Sequence, residues 1–311
     1  MKKTIIACSI IIVSIIGLSM VLSHMPKYAT YKEQKDHAKS LFNKAQEQED
    51  IIFFAPTFGK AVSALFSKNA WKESLRANLY LTKVYSKEAL EDIDVLGRIG
   101  DSYFYLKKFN EARGWYEREL EVFNSRYFRN KTYREREGLT DKQALTEELR
   151  YFVNIQESIA SCYTAVGEYK RGIEAHEKTL LLLPDAKEVT IYARENIFRD
   201  VYIKIAKIYK IVIKDYKKAL EIYEKMKKEF PDPISSSLAD IYIGDTYLAM
   251  GNIEKAKEVY RAAVNKYKYP GSTANYDTAE RRLRDLESGV SIVATDKVVY
   301  EVKNGKVTMK Y

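Results

Sequence analysis

The side chains that could carry acid–base, nucleophilic or metal chemistry are thinly spread. His24, His37 and His176 are the only histidines in 311 residues, and Cys8 and Cys162 the only cysteines. Cys8 lies in an N-terminal apolar run, so the pair supports neither a disulfide framework nor a thiolate metal site. The sequence contains no Cys-x-x-Cys, no His-Glu-x-x-His, no glycine-rich phosphate loop and no Asp-rich calcium loop. The spacings that put two ligands on one helix face, or backbone amides around a phosphate, are therefore missing. His176 falls at a helix-packing spacing, where a satisfied core histidine is the simpler reading. The 43 Asp and Glu residues read as helix-surface charge. The expectation is a chain that is not an enzyme, with no cofactor, no metal and no small-molecule substrate.

Lys and Arg number 52, so the formal charge is +9, a modest excess on a surface dense in both signs. Such a balance does not require nucleic acid. The one local basic cluster is Arg126, Arg129, Lys131, Arg134 and Arg136, interleaved with Tyr127, Phe128 and Tyr133. Cations beside stacking rings suit single-stranded nucleic acid or anionic headgroups. Glu135 and Glu137 dilute it, and it reads first as a solvated connector, then as a contact for acidic protein or lipid, and last as a nucleic-acid site.

The elements that would position these residues are helical. Twenty-five Tyr and 12 Phe against 13 Gly and 6 Pro indicate long, aromatic-filled helices with few turns. Lys2 and Lys3 precede Thr4 to Ser23, a stretch without a charged side chain. As a helix it would span ~30 Å, enough to cross a bilayer. Residues 1–26 thus read as a retained transmembrane anchor; a cleaved signal ending near Val21-Leu22-Ser23 is the competing reading. Lys2, Lys3 and the amino terminus, weighed against Lys27, Lys32 and Lys35, favour a single-pass protein with its body on the extracytoplasmic side.

Beyond the anchor one pattern recurs four times. Phe109, Ala112 and Tyr116 align with Tyr169, Gly172 and His176, with Tyr216, Ala219 and Tyr223, and with Ile253, Ala256 and Tyr260. Upstream of each lie Gly100 and Tyr103, Ala160 and Tyr163, Ala206 and Tyr209, Gly244 and Tyr247. Small residues let two helices approach while aromatics fill the groove between them. This register resembles the tetratricopeptide repeat, with Ile243-Gly244, Tyr247, Ala256 and Tyr260 as its best copy and Gly167, Pro184 and Pro231 at further signature turns. The resemblance covers residues 93–270 and implies an all-α solenoid of helical hairpins. The central small residues are 60, 47 and 37 residues apart, against about 34 in the standard repeat. Hairpins are therefore stretched, and Thr140-Asp141-Lys142-Gln143 reads as the capping box of a long helix.

The resemblance also implies a binding surface on the first helix of each hairpin. The family's carboxylate-gripping positions fall on Gly97, Asp101 and Ser158, so that clamp is missing. The inner positions instead become Asp101, Phe104 and Tyr105, then Glu157 and Ser161, then Lys204, Lys207 and Lys210, then Tyr242 and Asp245, a mixed strip suited to a protein segment. Residues 27–92 form a helical region, with Tyr31 to Glu49 and Trp71 to Tyr85 periodic; Ala77, Leu81 and Val84 would belong to a degenerate first repeat. Phe53, Phe54 and Phe58 read as core, with a membrane-interface role as the alternative. Residues 271–289 hold a capping helix begun by Thr273 and stopped by Gly289. In 290–311, Val298 to Val302 and Lys306 to Lys310 flank Asn304-Gly305, a hairpin signal. The expected whole is a membrane-anchored scaffold that binds a protein segment through the concave surface of its repeats; the alternative is a permanent structural subunit of a large membrane-associated complex, docked partly by the C-terminal hairpin.

Overall fold

The computed structural model describes residues 30–54, 57–126, 140–183, 186, 189, 191–266, 273–289, 292–293, 299–303 and 306–310. The chain divides into two units, one ending at Lys108 and one beginning at Phe109. The anchor segment 1–26 and four of the five residues of the basic cluster, Arg129, Lys131, Arg134 and Arg136, lie outside the described residues, as do the side chains of Phe53, Phe54 and Phe58. Among the described residues no helix is long and apolar enough to cross a membrane.

The first unit comprises α1 (Tyr31–Phe54), α2 (Thr57–Val84), α3 (Ser86–Ala89) and α4 (Ile93–Tyr105). Both long helices overrun the periodic stretches read from the sequence: α1 continues through Ile51 to Phe54, and α2 begins at Thr57, well before Trp71. Ala38, Phe42 and Ala45 recur at helical spacing on α1 and are buried, as are Ala70, Trp71, Ala77 and Leu81 on α2. Val84 is exposed. Trp71 meets Phe42 edge-on at 5.4 Å and stacks on Tyr105 at 4.2 Å. Asp92 fastens two elements at once. It caps α4 by accepting from the backbone N–H groups of Asp94 and Val95, and it accepts from the Tyr31 hydroxyl at 2.7 Å and pairs with Lys35 at 2.7 Å. Burial, then this bond, push the Tyr31 hydroxyl far above the ordinary tyrosine range.

The second unit holds α5 (Phe109–Arg126), α6 (Asp141–Ala165), α7 (Tyr169–Leu180), α8 (Ile191–Lys207), a π-helical turn (Ile208–Ile213), α9 (Tyr216–Glu229), α10 (Pro233–Ala249), α11 (Ile253–Lys266) and α12 (Thr273–Glu287). Three hairpins, α6/α7, α8/α9 and α10/α11, stack in order through α7 on α8 and α9 on α10. Thr140 forms the expected capping box: its hydroxyl accepts from Gln143 N while Gln143 Oε1 accepts from Thr140 N. Asp215 caps α9, and Asp232 caps α10 with Pro233 in the first turn.

Packing explains why the recurring positions are small. A Cβ on Gly244 would stand 2.3 Å from the Tyr260 ring, and one on Gly172 2.9 Å from Thr164 Oγ1. Ala219, Tyr223, Ala256 and Tyr260 are fully buried. Each hairpin turns through a residue of positive φ: Gly167 at 83°, Lys214 at 62° and Gly251 at 77°.

The chain closes with α12 on α10 and α11, then a three-stranded antiparallel sheet of β1 (Ile292–Val293), β2 (Val299–Lys303) and β3 (Lys306–Lys310). Pairing of Lys303 with Lys306 fits the hairpin read from the sequence; β1 was not anticipated, being too short to show a period. Tyr300 is fully buried with Leu248, Ala256, Tyr260 and Leu286, so the sheet folds back onto the last hairpin.

Candidate partner-binding surfaces

The strip read from the sequence is largely occupied with itself. In the first unit Asp101 and Phe104 are half-buried, Phe104 lies edge-on to Tyr105, and Tyr105 exposes its outer part above Trp71. In the second unit Glu157 on α6 pairs with Lys204 on α8, and Ser161 is exposed one turn further along α6. Lys207 and Lys210 bring their ammonium groups to 5.4 and 5.9 Å from the Tyr242 ring, which stacks on Tyr223.

Lys210, Tyr242 and Asp245, read from the sequence as partner-facing, are all three buried. α10 is flanked by α9, α11 and α12, and every residue from Ala239 to Thr246 is buried, so this stretch has no free face. Asp245 Oδ1 accepts from the Tyr260 hydroxyl at 2.6 Å and pairs with Arg282 at 2.6 Å. Burial, then this carboxylate, hold the Tyr260 pKa well above its ordinary value, so the hydroxyl stays a donor. Arg126, the described member of the basic cluster, is exposed in the last turn of α5.

Open surface lies elsewhere, on the side of the second helices. A recess of about 520 Å³ opens between α7, α8 and α9. Its walls are apolar, from Leu180, Leu183, Ile205, Ile222 and the ring of Tyr202. Glu177, Lys225 and the Arg194–Glu229 pair, 2.5 Å apart, rim it. Leu181 stands at its mouth, 75% exposed. Burial, then the Glu229 carboxylate, raise the Tyr202 hydroxyl to about 12, so it remains a donor at neutral pH. An apolar floor with a few fixed polar groups suits an inserted aliphatic or aromatic side chain of a protein segment. The sequence carried one overlooked signal for it. Leu180 to Leu183 are four consecutive leucines, and a helix cannot turn all of them toward one core.

A second recess, about 190 Å³ between α5, α6 and α7, is polar. The guanidinium groups of Arg113 and Arg171 approach its Tyr163 ring to 4.7 and 4.9 Å from the centroid. His176 is buried on α7, and its pKa is lowered to about 4 by burial and then by Lys204. Its Nδ1 has no hydrogen-bond partner among the described residues. The imidazole is thus neutral and packed in the core, as its spacing indicated, but not hydrogen-bonded at Nδ1 as a satisfied core histidine would be. Among the described residues no group of three His, Cys, Asp or Glu is placed to hold a metal ion.

Comparison with known proteins agrees with the repeat geometry. Family models described as tetratricopeptide repeat match residues 200–233 and 243–265. These ranges cover the C-terminal half of α8, the π-helical turn and α9, and the end of α10 with most of α11. No curated protein sequence matches the chain. Among solved structures, similar chains include nearly identical TPR-like repeats assigned to a kinesin light chain of Podosopora anserina, at 13% identity, covering 83% of this chain and 100% of that one with a TM-score of 0.48. The apo quorum sensor NprR from B. thuringiensis matches at 14% identity over 87% of this chain and 74% of its own, TM-score 0.41. Yeast Tom70 matches at 15% over 84% and 55%, TM-score 0.30. The assignment rests on the two matched repeats and the hairpins: the chain carries tetratricopeptide repeats in a mostly helical solenoid.

Proposed function

We propose that this chain is a membrane-tethered scaffold that binds a protein segment through the apolar recess between α7, α8 and α9. The observation that carries the reading is Leu181, an exposed leucine at the mouth of an apolar cavity in a helical-hairpin array. Isolated exposed leucines are ordinary, but one beside an apolar hollow gives a partner side chain both a floor and a lip. The two matched repeats belong to a family whose fold presents surfaces to other proteins, which supports a scaffold. Tethering rests on the uncharged Thr4 to Ser23 segment, and an extracytoplasmic body follows from the placement of Lys2 and Lys3. Anchoring would raise the local concentration of the scaffold for a partner at the same membrane.

A second reading, a permanent subunit, draws on the outer edge of β3, which pairs only with β2 in its sheet and could accept a partner strand. The test is purification of the full chain in detergent from its own cells, comparing wild type with Leu181→Glu. The scaffold reading expects a co-purifying protein whose yield falls at least about tenfold in the variant, since a burying apolar anchor contributes about 2 kcal/mol. Undiminished recovery with Leu181→Glu, together with loss on shortening β3, would move the interface to the sheet.

A further inference from the structure

Four of the six exposed large hydrophobic residues described in the second unit sit in the turns that join first to second helices. They are Val166, Val212, Ile213 and Met250, between 38 and 46% exposed. Each stands within two residues of the positive-φ residue of its turn. Because every such turn joins the C-terminal end of a first helix to the N-terminal end of a second, stacking of the hairpins lines these residues along one edge of the unit.

The same edge is basic. Lys170 and Arg171 open α7, Lys214 turns into α9, Lys217 and Lys218 follow, and Lys255 lies in the first turn of α11; all are exposed. Three carboxylates stand among these six cations: Glu168 offsets Arg171, with which it pairs at 2.8 Å, Asp215 caps α9, and Glu254 pairs with Lys257, so the lysines still leave the edge positive. The first turns of α7 and α9 contain no acidic residue, although carboxylates are favoured there and cations are not. Each hairpin also lays one of these cations over a tyrosine, Arg171 on Tyr163 of α6, Lys218 on Tyr209 of the π-helical turn and Lys255 on Tyr247 of α10. In the first unit the turn after α4 repeats the arrangement, with Tyr105 exposed, Lys107 at φ 60° and Lys108 over Tyr103.

We infer that this turn edge of the second unit rests on an anionic lipid surface, its lysines among the headgroups and its apolar tips at the acyl boundary. An acidic peptide would answer the lysines but leave Val166, Ile213 and Met250 in water; a lipid surface satisfies both, since its charge lies directly above hydrocarbon. The inference does not depend on the recess, which opens between α7, α8 and α9, away from these turns.

The test must distinguish the edge from the apolar N-terminal segment, which could bind vesicles unaided. Full-length protein carrying a benzoyl-phenylalanine photo-cross-linker at position 250, or at 181 as control, is reconstituted with phosphatidylcholine vesicles, with and without phosphatidylserine. The edge reading expects lipid adducts at 250 but not at 181, several-fold more abundant with phosphatidylserine. In Lys217→Glu/Lys218→Glu the adducts fall by about tenfold or more, each surface cation contributing attraction to the anionic leaflet. Should that variant lose its helical circular-dichroism signal, Lys170→Glu/Lys255→Glu serves instead. Equal labelling at 250 and 181, indifference to phosphatidylserine, or adduct formation with added polyglutamate in preference to lipid would overturn it.

Discussion

Replacing Arg282 with Met tests how the array is closed. Arg282 on α12 is 2% exposed, Asp245 on α10 is fully buried, and their atoms stand 2.6 Å apart; the Tyr260 hydroxyl from α11 donates to the same carboxylate oxygen at 2.6 Å. Three helices therefore meet on one carboxylate. A buried ion pair adds little net stability when both partners are present, because desolvation offsets attraction. Removing one partner is different: the other charge stays buried without its counter-ion, and the loss is about 3–5 kcal/mol. Arg282→Met should lower the stability of the second unit by that amount in urea unfolding, and Asp245→Asn by a similar amount. The double substitution removes both charges and should recover most of the loss, giving strong coupling in the cycle. In a repeat array the damage should stay near its origin, so amides of α12 and β2 should exchange faster while α6 and α7 change little. A single-variant loss below about 1 kcal/mol, or additive losses in the double variant, would refute the reasoning.

His176 should make stability pH-dependent. Its folded pKa, about 4, lies below its unfolded value of 6.5, so the unfolded chain binds more protons between those limits. Stability should then fall as pH drops from 6.5 toward 4, by about 2 kcal/mol at pH 5, and a His176→Phe variant followed by urea titration should lack that component. Gly244→Ala should cost about 1–3 kcal/mol, because the new Cβ meets a buried Tyr260 ring that its bond to Asp245 holds in place; the denaturant midpoint reads this. Lys214→Gly should raise the melting temperature by a few degrees, since Lys214 holds φ at 62° and glycine adopts that conformation without strain.

Features that depend on neighbours in sequence were legible. The small-residue positions of the hairpins, the Thr140 box and the C-terminal hairpin follow from local spacing, and the pairing of β2 with β3 matches the turn signal at Asn304-Gly305. What failed to show depends on which element covers which. Asp245 occupies a repeat position that faces inward in a regular array, yet Arg282, 37 residues later in a helix outside the repeats, reaches it and closes it off. The π-helical turn at Ile208–Ile213 has no composition of its own; Ile-Tyr-Lys-Ile-Val-Ile reads as readily as a strand. Lys214 carries a positive φ where glycine was the expected signal. The recess was missed for a similar reason: its floor draws on three helices, and only the surplus leucine of the Leu180 to Leu183 run pointed outward.

Hydrogen–deuterium exchange of the full chain, alone and with its co-purified partner, tests the central claim most directly. Binding in the recess should slow exchange only in the helices around it, at residues 177–183 and 222–229, and not at all in Leu181→Glu. Protection along the first-helix positions Glu157, Ser161 and Lys204 with the recess unchanged would contradict it.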